Sequence, residues 1–344
     1  MGAGKRMILA VSACLAATPS PAQDLASVWR GKTVSILAGM PPGGGYDLYA
    51  RLLGRHLGKH IPGNPQVTVS NMVGASSLAM AGHVSGVAPQ DGTVIGASIS
   101  TLPLAPVLDD PAQLRFDATK FNYIGSANED SFLCIVGKSS PVRNFADALT
   151  TQIIMGGSSE TGTTGYMPVL LNNVLGAKFK VVFGYPGTRD LIVAIERGEI
   201  HGQCAQSWSS MNSQYADLLA SGKVALFLQE SLAGHPEMDR LGVPRAGDFA
   251  KTPEQRAILE IVYSQGVSGR PYFVGPGVPK ERVEALRKAF MDAWKDPELL
   301  ADAAKINAEI GPVEGARLQA LLNRIYASPE DLKLKAREAI RLKR

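Results

Sequence analysis

The chain is poor in cysteine, in aromatic residues and in long apolar runs, and its charges nearly cancel. Three cysteines in 344 residues are too few for a disulfide-stapled scaffold or a four-cysteine zinc site. Lys and Arg number 35 against 31 Asp and Glu, a formal charge of +4. That bias is too weak to argue for a nucleic-acid partner. No run of about 20 apolar residues follows the N-terminal segment, which excludes a polytopic membrane protein. Enzyme signatures are also missing: there is no Gly-x-Ser-x-Gly elbow, no His-Glu-x-x-His and no visible pairing of a base with a nucleophile. What remains is a globular composition, 45% hydrophobic and 19% charged, with enough chain for two α/β domains.

Residues 1–22 read as a targeting segment. Lys5 and Arg6 form a positive n-region, an apolar stretch follows, and Thr18-Pro19-Ser20-Pro21-Ala22 supplies a break with small residues before a cut at Gln23. A rival cut, Val11-Ser12-Ala13-Cys14, has the look of a lipobox and would leave Cys14 lipidated, but the apolar run continues past it. Export by simple cleavage, hence a periplasmic protein, is the expectation. Cys134 and Cys204 are then the remaining thiols. Two buried small hydrophobes are the expected reading, with a bridge left open in an oxidising space.

The rest alternates strand and helix. Strands are expected at 33–39, 66–70 and 93–97, with helices at 47–60 and 76–86 between them, the order of a doubly wound sheet. A second series runs through strands at 132–136, 152–156, 179–183, 201–205 and 226–229, with helices at 144–150, 165–175 and 188–197. After a strand at 272–274 the chain is helical, at 280–295, 297–308, 313–327 and 329–341.

The chemistry-bearing motifs are loops placed before helices. Pro41-Pro42-Gly43-Gly44-Gly45-Tyr46-Asp47 combines bare amides with a helix N-terminus, which is the makings of a carboxylate or phosphate cradle. A sharp turn with Asp47 as N-cap or first-turn acid explains part of it. It is not a P-loop, because Gly45-Tyr46 stands where Lys-Ser/Thr should, and Leu48 replaces the third glycine of a dinucleotide fingerprint. Similar junctions are Gly156 through Gly165, rich in Ser and Thr, then Gly184-Tyr185-Pro186-Gly187-Thr188, and more weakly Gly74-Ala75-Ser76-Ser77. His56 and His60, four apart on one helix, have metal-ligand spacing but no third ligand, and sit where a partial cation suits the helix dipole. No metal or cofactor is expected.

In chain order, Pro42-Gly43-Gly44-Gly45-Tyr46-Asp47, Asn71-Met72-Val73-Gly74-Ala75, Ala88-Pro89-Gln90-Asp91-Gly92, Gly157-Ser158-Ser159, Phe183-Gly184-Tyr185-Pro186-Gly187 and Val278-Pro279-Lys280 resemble the solute receptors of tripartite tricarboxylate transporters, the Bug family of periplasmic binding proteins. The resemblance implies an α/β, two-lobed Venus-flytrap fold, each lobe a mostly parallel sheet flanked by helices. Its parts would be lobe 1 at 23–129, lobe 2 at 130–262, and a return to lobe 1 at 263–344.

It also implies a small organic acid (a di- or tricarboxylate, amino acid or aromatic acid) held between two pincers and delivered to small and large integral membrane subunits. Gly44, Gly45, Tyr46 and Asp47 would form the first pincer, and Tyr185, Pro186, Gly187 and Thr188 the second. Ser76, Ser158, Thr163 and Gln206 are further lining positions. A monomer without nucleic-acid partners is expected. The family more often has Asn-Arg-Pro-Gly-Ala-Gly-Gly at 71–77, Tyr-Lys-Gly at the second pincer, and Thr in place of Tyr46. A hydrolase or isomerase acting on an acid in the same cleft, and a ligand-binding accessory of a sensor kinase, are the alternatives.

Overall fold

A computed structural model describes residue 1, residues 25–109, 114, 116–231 and 233–343. The expected targeting segment, Cys14 included, lies outside the described residues.

Helix α1 (Leu25–Trp29) leads into strand β1 (Thr33–Ala38), helix α2 (Gly45–Leu57), β2 (Gln66–Asn71), α3 (Leu78–Gly86), β3 (Val94–Ala97), the short α4 (Ala105–Leu108) and β4 (Asn122–Ser126). The chain then enters a second sheet through β5 (Phe132–Gly137), β6 (Ile153–Gly156), α5 (Thr163–Leu170), β7 (Phe179–Val182), α6 (Thr188–Arg197) and β8 (Gly202–Ser207). Helices α7 (Trp208–Gln214) and α8 (Ala216–Ala220), β9 (Val224–Gln229), α9 (Pro236–Arg240) and α10 (Pro253–Tyr263) follow. It returns as β10 (Pro271–Val274), α11 (Lys280–Ala293), α12 (Pro297–Lys305), β11 (Val313–Glu314), α13 (Gly315–Tyr326) and α14 (Glu330–Ala339). No described helix is long and apolar enough to cross a membrane.

The first sheet has the order β11-β4-β10-β3-β1-β2 and the second β7-β6-β8-β5-β9. Burial explains the sequence of each strand. All six residues of β5 are buried, matching its unbroken apolar run Phe-Leu-Cys-Ile-Val-Gly, as expected of a strand covered on both faces. At the sheet edge, β2 alternates, with Val67 and Val69 turned inward and Gln66, Thr68 and Ser70 outward.

Both sheets are mixed but mostly parallel, as expected: β1, β2, β3 and β4 share one direction in the first sheet, and β6, β7, β8 and β9 share one in the second. β1 pairs in parallel with β2 and β3, but β10 runs antiparallel to β3 and β4. In the second sheet β6 is parallel to β7 and β8, while β5 is antiparallel to β8 and β9. Two of the reversed strands, β5 and β10, arrive from the other sheet, whereas β11, also antiparallel to β4, follows α12 within the same lobe. β5 and β10 enter from the side where the parallel strands end, so their direction is reversed.

Two helix expectations also change. Residues 165–175 do not form one α-helix: Pro168 lies inside α5, where it removes one ladder donor, and 171–175 continue as a π-turn. Residues 144–150 contain only a short 3₁₀ turn at Asp147–Leu149.

One core cluster holds α2, α11 and α12 against the first sheet through Leu52, Leu53, Phe290 and Trp294, all essentially buried. Each such Leu contributes about 1.5–3 kcal/mol by leaving water. The C-terminal α14 touches both lobes. Arg337 Nε donates to Val107 O, and Asn173 Nδ2 donates to Ala339 O.

Candidate functional site

In open α/β sheets the usual ligand position is at the carboxyl ends of the parallel strands, and the candidate residues lie on the loops that follow such strands. On the first lobe, the loop after β1 carries Gly44, Gly45, Tyr46 and Asp47, and the loop after β2 carries Ser76. On the second, the loop after β6 carries Ser158 and Thr163, and the loop after β7 carries Tyr185, Pro186, Gly187 and Thr188. The two second-lobe loops lie side by side: Gly184 N donates to Ser158 O at 3.1 Å and Tyr185 N to Gly157 O at 3.4 Å. The lobes also meet, since a methyl group on Gly45 would lie 3.4 Å from Arg270 Nη2 and 4.0 Å from Ser210 Oγ.

Helices α2, α5 and α6 share one feature. Their N-caps are Gly44, Gly162 and Gly187, and none has a side-chain capping bond. Side chains cap four other described helices, Ser207 for α7, His235 for α9, Thr252 for α10 and Asp296 for α12, while α3, α4, α8, α11, α13 and α14 have neither a side-chain cap nor a glycine N-cap. A glycine N-cap leaves first-turn N–H groups without a local oxygen, at the positive end of the helix dipole.

The individual candidates differ in how free they are. Asp47 is buried and spent on its own loop. Its carboxylate accepts from Gly43 N at 2.9 Å, Arg51 Nε at 2.9 Å and Asn71 Nδ2 at 2.7 Å. Burial pushes its pKa up, but the Arg51, Gly43 and Asn71 bonds outweigh this and hold it below the usual carboxylate value. Asp47 therefore shapes the first loop, and Gly43 at φ +84° makes the turn that brings its amide to that carboxylate.

Tyr46 OH is exchanged with Ser100, donating to Ser100 Oγ and accepting from Ser100 N, both at 3.2 Å. Ser158 accepts from Thr164 Oγ1 at 3.0 Å, while its amide donates to the same oxygen. Gln206 is buried and accepts from Gln203 Nε2 at 2.8 Å. Tyr185, Gly187 and Thr188 are half-buried and Pro186 is exposed. The glycines of 156–165 serve packing as well as any ligand: Gly157 lies against Gly165, and Gly156 against Leu191 and Ile200.

The turn holding Ser76 is strained. Ala75, Ser76 and Ser77 all have positive φ, at 45°, 51° and 71°, a region costly for residues with a Cβ. Ser77 is held there because its Oγ donates to Gly39 O and accepts from Ile99 N, each at 3.3 Å. Ser76 is exposed and has no such anchor among the described residues.

Motif reading missed Arg270, which precedes β10, and Asp130, on the crossover between β4 and β5. Arg270 Nη1 lies 3.1 Å from Asp130 Oδ2 and donates to Asn128 Oδ1 at 2.8 Å, while Nη2 donates to Ser209 Oγ at 3.2 Å. The guanidinium stacks 4.0 Å over the Tyr49 ring. Burial alone would depress the Arg270 pKa, but Asp130 together with the Tyr49 and Tyr46 phenols outweighs this and raises it. Burial likewise pushes the Tyr49 phenol up to about 12. No motif marks either residue, because a lone Arg and a lone Asp 140 positions apart acquire meaning only when the crossovers meet.

The cysteine expectation is corrected. Cys134 and Cys204 form a disulfide between neighbouring antiparallel strands, at a register shift between Leu133 and Ile135 that sets them opposite each other. The histidines pair with acids of α12 and its cap: His56 Nε2 lies 3.1 Å from Asp302 and His60 Nε2 2.8 Å from Asp296. His56, Asp296 and Glu298 do come within metal-binding reach of one another. However, the Lys59 ammonium sits 2.6 Å from both Asp296 and Glu298 and already supplies the positive charge.

No protein-family model matches the chain, and a search of curated proteins finds no match. Solved structures do match. A TctC solute-binding protein from Polaromonas superposes with a TM-score of 0.64 at 19% identity, covering 88% of this chain and 98% of its own. The periplasmic binding protein BugD gives 0.63 at 19%, covering 90% and 98%. MatC from Rhodopseudomonas palustris with bound malate gives 0.62 at 18%, also covering 90% and 98%. The chain has the two-lobed periplasmic-binding-protein fold that these structures share.

Proposed function

We propose that this protein is an extracytoplasmic solute receptor of the Bug type, binding a small organic acid in its interlobe crevice without turning it over. The carrying observation is the set of three glycine N-caps, Gly44, Gly162 and Gly187, whose helices present uncapped first turns at the strand ends bordering the crevice. Backbone amides at helix N-termini suit a carboxylate and carry no formal charge to neutralise. The buried cation where the lobes meet, Arg270, is already matched by Asp130.

Gly44, Gly45 and Tyr46 form the first-lobe pincer and Tyr185 through Thr188 the second, with Ser158 and Thr163 beside it. Asp47 acts indirectly, by fixing the loop. Ligand contacts made only when the lobes are together favour closure by the difference in contact energy. The closed receptor delivers its acid to the small and large integral membrane subunits of a tripartite transporter, after export to the periplasm as a monomer. Support comes from the ordered motifs along the chain and from the fold it shares with TctC, BugD and malate-bound MatC.

Thermal unfolding against malate, other di- and tricarboxylates and aromatic acids, each with its amide as control, tests the reading. At 100 times Kd a ligand adds about 2.7 kcal/mol, a shift of several degrees at this size. A shift with an acid and none with its amide supports a carboxylate receptor. No shift with any acid, for folded and ligand-free protein, rejects it.

A further inference from the structure

Two chain crossings join the lobes, at 127–131 between β4 and β5 and at 264–270 between α10 and β10. They run side by side: Asp130 N donates to Gly266 O at 2.9 Å and Ala127 N to Arg270 O at 3.0 Å. Paired crossings of this kind are where two lobes can rotate against each other. The C-terminal helix α14 makes a third connection of a different sort.

Helix α13, which precedes it, belongs to the first lobe. It packs on β4, and Tyr326 OH donates to Pro103 O, just ahead of α4, at 2.6 Å. Only Ala327, Ser328 and Pro329 separate α13 from α14, a stretch of about 10 Å when fully extended.

Past that connector, α14 lies along α10 of the second lobe. Asn173 Nδ2, in the π-turn after α5, donates to Ala339 O and to Arg341 O, both at 2.9 Å. Lys335 Nζ pairs with Glu254 at 2.6 Å. Ala336 and Ala339 are buried, in one apolar cluster with Ile258, Ile261 and Val262 of α10. These docking points stand off the crossings. Glu254 lies at the start of α10 and Tyr263 at its end, so Glu254 is about 14 Å along the helix from where the chain crosses. On its other side α14 packs on α4 of the first lobe, where Arg337 Nε donates to Val107 O at 3.2 Å.

We infer that α14 is a strap between the lobes. Docked on the second lobe and tethered to the first by 327–329 and by Arg337, it restricts how far they rotate about the crossings. The return to lobe 1 expected at 263–344 then ends with α13, and the chain passes between the lobes three times. An attachment away from a paired crossing removes rotational freedom that the crossing alone permits. A receptor held near its binding-competent arrangement loses less affinity to other states. The strap acts on the lobes themselves, whichever solute is bound.

Spin-label distance measurements on the ligand-free full chain test this, with labels at Thr68→Cys in the first lobe and Lys180→Cys in the second, both exposed sites. Inserting a flexible Gly-Ser segment between Ser328 and Pro329, together with Arg337→Ala, relaxes both tethers. The width of the interlobe distance distribution should at least double, while the unfolding midpoint stays close to that of the labelled parent. An unchanged width overturns the strap. Broadening that comes only with a large fall in the midpoint assigns the effect to loosened packing and also overturns it. If the combined variant fails to fold, Arg337→Ala alone decides: it should broaden the distribution by a smaller factor, and an unchanged width there rejects the strap.

Discussion

Arg270 Nη2 donates to Ser209 Oγ across the interlobe boundary at 3.2 Å, while Nη1 of the same guanidinium holds Asp130, a crossover residue, at 3.1 Å. One side chain thereby ties the return strand of the first lobe to both the β4–β5 crossover and the second lobe. The pair is buried, with side chains 7% and 2% exposed, so removing either partner strands a charge out of water. Arg270→Ala or Asp130→Asn is expected to cost about 3–5 kcal/mol in denaturant unfolding. Arg270→Lys should recover little, because an ammonium cannot bridge Asn128, Asp130 and Ser209 as a fork does. A loss below 1 kcal/mol in Arg270→Ala would remove the latch from the account.

Glu230 makes stability depend on pH. Burial pushes its pKa up from 4.5 to about 8, and the Ala205 amide only partly opposes this. Between those values the folded protein keeps a proton that the unfolded chain has lost, so stability falls as pH rises through the window. In ligand-free protein, Glu230→Gln should be more stable than wild type at pH 8, by the order of a few kcal/mol. The gap should shrink toward pH 5. A gap independent of pH would assign the effect to packing.

The Cys134–Cys204 disulfide closes a long loop, with a sequence separation of 70. Chain-entropy arguments place its contribution at about 4 kcal/mol. The double substitution of both cysteines by Ala should lower stability by about that amount, and reductant should lower wild type but not the double variant. Equal stability of wild type with and without reductant, at verified thiol release, would contradict this.

Ser76 and Ser77 predict opposite outcomes for the same change. Ser76→Gly relieves a positive φ at an exposed site and should stabilise by about 1 kcal/mol, after the entropy that glycine adds to the unfolded chain. Ser77→Gly also relieves one, but it removes the bonds to Gly39 O and Ile99 N in a fully buried position and should destabilise. Parallel unfolding curves settle the pair, and the same sign for both would show that backbone strain is not what separates them.

Much of this architecture is legible in the sequence because its signals are local. The apolar run of β5, the glycine turn before α2 and the helical spacing of Leu52, Leu53 and Leu57 each identify an element without knowledge of its neighbours. β4 escaped notice: Asn-Tyr-Ile-Gly-Ser has little apolar pattern, and its Gly125, at φ +157°, lies where Phe290 and Val313 O approach the backbone. Helix α10 carried a readable signal that went unused, the capping box Thr252-Pro253-Glu254-Gln255. At the site, the glycine loops announce themselves. Asp130 and Arg270 do not, since their roles arise from burial where two crossovers meet. The reversed direction of β5 and β10 is hidden for the same reason, because it depends on the lobe each strand comes from.

The central claim is that amides left free by glycine N-caps hold the ligand's carboxylate. A side-chain oxygen placed at those caps should occupy the amides in its stead. Gly44 and Gly187 have φ of −81° and −174°, which any residue adopts, and no atom within 3.9 Å of an added Cβ. The decisive measurement is calorimetric titration of the tightest-binding acid into wild type and Gly44→Ser/Gly187→Ser. The account predicts unchanged or slightly raised stability of the ligand-free variant, by a few tenths of a kcal/mol per cap, with affinity lower by tenfold or more. Wild-type affinity in the double variant would contradict it.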